Sequence, residues 1–166
     1  MKNLYLIRHA KSEWKSNYKN DFDRALNKRG KKAVLTMGNV LKEKKIIPDL
    51  ILSSSAKRAK LTAKGLAQEI GYNGTIKFID TFYLAEPAII LKYIQEVDDI
   101  IDTLFLVGHN PEITQLGNIM TDNYIDNVPT LGIVAIELPI EHWRKLKTED
   151  GKIKFFIYPK MFISSS

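Results

Sequence analysis

The chain has 166 residues, a formal net charge of +6 and a hydrophobic fraction of 45%. This length suits a single domain, 1–166, and the composition excludes a fibre, a repeat array or a disordered chain. The absence of cysteine excludes disulfides and thiolate chemistry.

The N-terminal apolar run covers only residues 4–7 and is ended by Arg8 and His9. It is too short for a signal peptide or a membrane span. We therefore expect a cytoplasmic protein without membrane association.

Apolar runs and helical periodicity predict strands and helices in alternation along the chain. The predicted strands are 3–8, 49–53, 76–79, 103–107, 133–138 and 153–158, and the predicted helices are 27–45, 56–70, 86–97 and 112–120. Asn27 is a suitable N-cap and Gly71 a suitable C-terminal stop. Residues 10–26 are polar and aperiodic, with Trp14, Tyr18 and Phe22 as scattered anchors.

This alternation predicts an α/β fold: a three-layer α/β/α sandwich with a mostly parallel central sheet. No segment between the predicted strands and helices is long enough to form a large cap insertion. In such sheets ligands bind beyond the carboxyl ends of the strands, so the residues that follow each strand are the candidates for a functional site.

Two histidines and two arginines follow three of the predicted strands. Arg8 and His9 follow the first, Arg58 lies in the helix after the second, and His109 follows the fourth. Each alone is more often structural, but together at one edge they suit phosphoryl transfer. Arginine forks hold phosphate oxygens, a neutral imidazole can be the nucleophile, and a second, protonated imidazole would stabilise the transition state. The scheme requires no metal and no cofactor.

Four motifs, in order, resemble the histidine-phosphatase (phosphoglycerate-mutase-like) superfamily, and in particular its short, uncapped SixA-type branch of phosphohistidine phosphatases. They are LIRHAKS at 6–12, DFDRALNKRG at 21–30, LSSSAKRA at 52–59 and VGHNP at 107–111. Ala10, Ala25 and Ser55 depart from the usual Gly, Pro and Pro of these motifs; no chemical group is lost.

The resemblance implies that His9 accepts the phosphoryl group and that Arg8, Arg58 and His109 complete the phosphate pocket. It also implies that Arg24 and Ser12 bind the phosphate. Asn110 either binds the phosphate too or supports the residues that contact it. Asp23 either acts in catalysis or fixes its loop. Glu86 is either the acid that protonates the leaving group or a carboxylate stabilised by a helix N-terminus.

The substrate implied is a phosphorylated one, and a site without a clear acid and without a lid favours phosphohistidine in a protein. Two alternatives stay open: a phosphomonoesterase for a small metabolite, and a catalytically silent phosphate-binding module. The lysines are spread over several helices and no nucleic-acid-binding motif is present, so we expect no specific nucleic-acid binding.

Overall fold

A six-stranded sheet organises the part of the chain that the computed structural model describes, residues 1–14 and 20–163. The strands are β1 (Lys2–Arg8), β2 (Leu50–Ser54), β3 (Ile76–Ile79), β4 (Thr103–Gly108), β5 (Ile133–Leu138) and β6 (Lys152–Ile157). The helices are α1 (Lys28–Glu43), α2 (Lys57–Ile70), α3 (Pro87–Gln95) and α4 (Glu112–Met120). The remaining elements are short 3₁₀ turns.

The strand order is β3-β2-β4-β1-β5-β6. The first four strands are mutually parallel, whereas β5 runs antiparallel to both β1 and β6. In the register of β1 and β4, Arg8 lies opposite Gly108. The carboxyl ends of β1, β2 and β4 therefore meet at one edge of the sheet, as the site prediction requires.

Each face of the sheet carries its own hydrophobic core, and the two cores make the predicted three-layer sandwich. On one face α1 and α2 pack over side chains such as Ile7 and Phe105. On the other face α3 and α4 pack over Leu6 and Leu106, with the buried Trp143 beside them. Consecutive residues of β1 and β4 contribute to opposite cores, because successive side chains of a strand point to opposite faces of the sheet.

The helix ends follow local chemistry. The side chain of Asn27 accepts a hydrogen bond from the Gly30 N–H at 2.8 Å and starts α1, and Gly71 ends α2 with φ 74°. The predicted helix 27–45 ends earlier, at Glu43, because the backbone turns left-handed at Lys45 (φ 59°). Helix α3 is likewise shorter than the predicted 86–97.

In the described residues of the segment 10–26, which are 10–14 and 20–26, there is one 3₁₀ turn, Asp21–Asp23. Of its three expected anchors, Phe22 packs edge-on against Tyr83, Trp14 is 81% exposed and is no anchor, and Tyr18 lies outside the described residues. No helix in the described part of the chain is both long and apolar enough to cross a membrane.

Candidate active site

His9 leaves β1 as a buried imidazole with an assigned tautomer. Its Nδ1 lies 2.7 Å from the Ala10 carbonyl oxygen. Because a carbonyl only accepts, Nδ1 carries the proton and Nε2 carries the electron pair. Burial, helped by the nearby His109 and Arg58, lowers the pKa of His9 to about 3. His9 is therefore neutral at physiological pH, the state a nucleophile needs.

Arg58 lies beside this imidazole. It belongs to the first turn of α2, is 5% exposed, and its Nε lies 3.3 Å from Nε2 of His9. Thr62 ties the two elements together: its hydroxyl donates to the Arg58 carbonyl oxygen and accepts from the Ala10 N–H. The cation is thus fixed next to the electron pair of His9.

The outer nitrogens of Arg58 bind Asp21. Nη1 donates to the Asp21 carbonyl oxygen at 2.7 Å and Nη2 to Oδ2 at 2.8 Å. The Asp21 carboxylate also accepts from the Tyr83 hydroxyl at 2.7 Å and pairs with Arg24, whose Nε is 2.9 Å from Oδ1. Burial acts to raise the pKa of Asp21, but the hydrogen bonds from Tyr83 and Arg58 prevail and lower it to about 2. Asp21 stays ionised and holds both arginines.

His109 directly follows β4, and its ring centroid lies 5.2 Å from that of His9. Its Nε2 lies 2.8 Å from the Ser54 hydroxyl, which also accepts the Ala56 N–H. A hydroxyl oxygen can accept two hydrogen bonds, so Ser54 can either donate to Nε2 or accept from it, and the tautomer of His109 follows from which of the two it does. Burial, with Arg58 and Arg8 adding to it, lowers the pKa of His109 to about 4. The expected protonated imidazole is therefore neutral in the unliganded chain.

Two buried nitrogens near His9, Nδ1 of His109 and Nε of Arg8, have no hydrogen-bond partner among the described residues. Nε of Arg24 makes no hydrogen bond either, but it lies 2.9 Å from the Asp21 carboxylate and pairs with it by charge. Arg8 uses only Nη1, which donates to the Val128 carbonyl oxygen at 3.0 Å. Buried polar atoms are seldom left without a partner, so these two atoms fit a ligand that supplies oxygen acceptors.

No described hydrogen bond connects the predicted residues Asn110 and Ser12 to His9. The amide of Asn110 donates to Asn127 and Val128 and accepts from Thr114, so its hydrogen bonds join α4 to residues 127–128. Ser12 pairs through its backbone with Leu26. These contacts fit roles behind the pocket.

The two candidate acids outside the pocket are exposed. Glu86 precedes α3 and its side chain makes no capping hydrogen bond. Asp23 is exposed too, and only its backbone N–H is engaged, with Asn20. No described contact connects either carboxylate to His9.

Sequence reasoning missed Asp21, Tyr83 and Ser54. Asp21 is the first residue of the second motif, but the sequence interpretation proposed a role for Asp23 instead. Tyr83 follows β3 and lies edge-on to His109 with centroids 5.7 Å apart; no pattern in the sequence indicated it. Ser54 was visible only as one of three serines at the end of a strand.

No group of three or more potential metal-ligating His, Asp or Glu side chains occurs in residues 1–14 and 20–163. The site instead consists of a neutral imidazole, a second imidazole and three arginines, two of them bound to Asp21. Such a set can bind a tetrahedral oxyanion and attack it.

Comparisons with known proteins agree with this chemistry. Residues 4–82 match the sequence model of the histidine phosphatase superfamily (branch 1). The fold matches that of a candidate phosphohistidine phosphatase, SixA, from Agrobacterium tumefaciens, with 26% identity, a TM-score of 0.83, and coverage of 95% of this chain and 98% of that one.

Two further structures share the fold at lower identity. The protein histidine phosphatase SixA complexed with tungstate gives a TM-score of 0.85 at 16% identity, over 97% of this chain and 99% of that one. A mycobacterial glucosyl-3-phosphoglycerate phosphatase gives 0.66 at 13% identity, over 93% and 97%. The same fold thus serves proteins named for protein and for metabolite substrates.

Proposed function

Because this chain belongs to the histidine phosphatase superfamily and has the fold of its SixA-type branch, we propose that it removes phosphate from phosphohistidine in a protein substrate, with His9 as the nucleophile. The observation that carries the proposal is the neutral His9 imidazole beside two buried nitrogens, Arg8 Nε and His109 Nδ1, that have no hydrogen-bond partner. A phosphoryl group supplies the missing oxygens.

The first half-reaction transfers the phosphoryl group to His9. Nε2 of His9 attacks phosphorus, the new N–P bond forms, and the P–N bond to the substrate imidazole breaks with its electron pair going to that imidazole. The other ring nitrogen of the substrate carries a proton, so the leaving group departs as neutral imidazole. Arg8, Arg58 and the Nδ1–H of His109 donate to the phosphoryl oxygens, where negative charge is concentrated. A bound dianion also favours the protonated form of His109, as the sequence interpretation required.

The second half-reaction is hydrolysis. Water attacks phosphorus, the bond to Nε2 breaks, and inorganic phosphate leaves with His9 restored. Only protein groups take part, so we propose that the enzyme needs no metal.

The choice of substrate rests on the leaving group. An alkoxide needs a proton donor at neutral pH, whereas an imidazole departs more readily. The two acids that the sequence offered, Glu86 and Asp23, are exposed and have no described contact with the pocket. This arrangement supports phosphohistidine over a sugar phosphate.

The test is to trap the intermediate and compare substrates. The wild-type chain is incubated briefly with p-nitrophenyl phosphate, quenched without acid, and analysed by peptide mass spectrometry for an adduct on His9. Turnover is then compared on a phosphohistidine-bearing protein and on a panel of sugar phosphates. An adduct with faster turnover of the phosphoprotein supports the proposal; faster turnover of a sugar phosphate makes the chain a metabolite phosphatase. Absence of both adduct and hydrolysis with every donor leaves the silent binding module.

A further inference from the structure

Charge is segregated along the chain. Residues 93–143 contain nine Asp or Glu residues and no Lys or Arg, although the whole chain has 25 basic residues and a net charge of +6. This stretch includes β4, α4 and β5. One side of the candidate site is therefore built from a segment without any Lys or Arg.

The opposite side carries exposed positive charge, which we call the basic rim: Lys11, Lys28, Arg29 and Lys57. The Lys11 carbonyl oxygen accepts the Asn27 N–H at 3.0 Å, so the start of α1 lies against the segment that leaves His9. Lys57 directly precedes Arg58. None of the four basic-rim side chains forms an ion pair with any residue that the structure describes, so their charge is uncompensated.

Two grooves flank the first turns of α4 on the acidic side. One, of about 520 Å³, lies between α3 and α4 and includes the exposed Glu86. The other, of about 460 Å³, runs from Asn110 to the exposed Asp126. No Lys or Arg lines either groove. Since Asn110 follows His109, the phosphate pocket opens between a basic side and an acidic side.

Large apolar side chains are exposed both on the acidic side and on the segment that carries Lys11 of the basic rim. Leu84 follows Tyr83, is 80% exposed and has φ 58°, a conformation that costs a leucine free energy. Tyr124 lines the groove of Asp126 and is 81% exposed, as is Trp14. Exposed aromatic residues of this kind are typical anchors of protein interfaces.

We propose that the basic rim is a docking site for a partner protein whose phosphorylated residue is flanked by acidic side chains. This inference rests on the proposed function and names the partner by its charge. The acidic residues of the partner contact Lys11, Lys28, Arg29 and Lys57, while its phosphoryl group enters the pocket. Electrostatic attraction of this kind raises association rates and is screened by salt.

A polynucleotide fits this surface less well than a protein. Its backbone carries negative charge along its whole length, and the part that extends past the pocket to the acidic side would meet Glu86 and Asp126 in the grooves beside α4. A protein can present acidic residues to one side and neutral or basic ones to the other.

The test uses three synthetic peptides of equal length with a central phosphohistidine, flanked by Glu, by Ser or by Lys. Affinities are measured by fluorescence anisotropy with a stable phosphohistidine analogue, and kcat/KM with phosphohistidine itself, at low and at high salt. The basic-rim variant carries Lys11→Gln, Lys28→Gln, Arg29→Gln and Lys57→Gln. The matched control removes four exposed positive charges elsewhere: Lys42→Gln, Lys147→Gln, Lys152→Gln and Lys154→Gln.

We expect the wild-type chain to prefer the Glu-flanked peptide over the Ser-flanked one by about tenfold at low salt, and to lose this preference at high salt. The basic-rim variant should lose the preference and keep its p-nitrophenyl phosphate turnover, and the control variant should keep both. Equal losses in the two variants, or no preference in the wild type, would overturn the proposal.

Two further outcomes are distinguishable. A single-stranded oligonucleotide that displaces the Glu-flanked peptide at lower concentration than an acidic protein does would show that the partner class is wrong. Lack of hydrolysis of every phosphorylated compound would contradict the proposed function, whereas the anisotropy measurements need no turnover and still decide the docking proposal.

Discussion

Nε of Arg58 points at Nε2 of His9 from 3.3 Å, so a permanent cation donates to the atom proposed as the nucleophile. When a phosphoryl group occupies that atom, the same N–H has a phosphoryl oxygen within reach. Replacement of Arg58 by Ala should lower kcat/KM for p-nitrophenyl phosphate by about 10²- to 10³-fold, as for the loss of one preorganised donor. Arg144→Ala, an exposed arginine outside the pocket, is the matched control. Near-normal catalysis by Arg58→Ala would remove Arg58 from the proposed mechanism.

His9→Ala should reduce turnover by about 10⁴-fold or more, because no other described side chain takes the place of the nucleophile. The fold should survive, which circular dichroism and thermal unfolding would check. The control is His142→Ala, whose imidazole is exposed and bonds to Asp99. A His9→Ala chain that still forms a phosphoryl adduct would place the nucleophile elsewhere.

Asp21→Asn should lower kcat by about tenfold to a hundredfold, because Arg58 loses its charged partner and its fixed position. The same change removes a negative charge that competes with phosphate for Arg58 and Arg24, so inhibition by inorganic phosphate should strengthen. Steady-state kinetics with phosphate as inhibitor separates the two effects. Asp23→Asn, an exposed neighbour in the same turn, should alter neither, and weaker phosphate inhibition in Asp21→Asn would contradict this reading of the carboxylate.

The two histidines make stability depend on pH. Their ordinary pKa is 6.5, and the fold lowers it to about 3 for His9 and about 4 for His109. From about pH 6.5 down to their folded-state pKa values, the unfolded chain binds more protons, so the free energy of unfolding falls as the pH is lowered. Urea unfolding at about pH 7 and about pH 4.5 should show this fall, and His9→Gln/His109→Gln should reduce it.

The carboxylate of Asp21 acts in a lower range. Its pKa falls from 3.8 to about 2, so its contribution to the free energy of unfolding is present above pH 3.8 and is lost as the pH drops toward 2.

For the prediction on the two histidines, an equally steep loss of stability between about pH 7 and about pH 4.5 in the double histidine variant would show that other groups dominate.

Gly30→Ala should destabilise the chain by about 1–3 kcal/mol through overpacking. A Cβ on residue 30 would lie 2.0 Å from the Lys11 carbonyl oxygen, which is backbone and cannot move aside cheaply. Because Lys11 is two residues from His9, activity should fall as well. Lys31→Ala, on the exposed side of the same helix turn, should be neutral or slightly stabilising in the same thermal unfolding measurement; an equal effect of both changes would contradict the steric argument.

The strand order explains why so much of the site could be predicted. Three predicted parallel strands end near the four main candidates: Arg8 and His9 at the first, Arg58 after the second and His109 after the fourth. The prediction required these three strands to be neighbours. They are adjacent in the order β2-β4-β1. Apolar runs located these strands to within a residue or two, since burial on both faces leaves a strong pattern.

The network around Asp21 could not be predicted in the same way. It joins the 3₁₀ turn of Asp21 to Arg58 and Tyr83, which are 37 and 62 positions away in the chain. Arg58 lies in the first turn of α2, and Tyr83 follows the 3₁₀ turn Asp80–Phe82. No periodicity marks such contacts, since they depend on how the loops pack. The neutral state of His109 in the empty pocket also could not be predicted, because the sequence does not show how deeply the ring is buried.

The carboxylate of Asp21 also sets the charge balance of the pocket. With Arg8, Arg24 and Arg58 charged, Asp21 ionised and both imidazoles neutral, the empty pocket carries a net charge of +2. A dianionic phosphoryl group cancels this charge, and the proton that His109 takes up leaves the complex at +1. Without the Asp21 carboxylate each of these totals would be one unit more positive. The Asp21 carboxylate therefore lowers the electrostatic affinity of the pocket for inorganic phosphate, which favours release of the product.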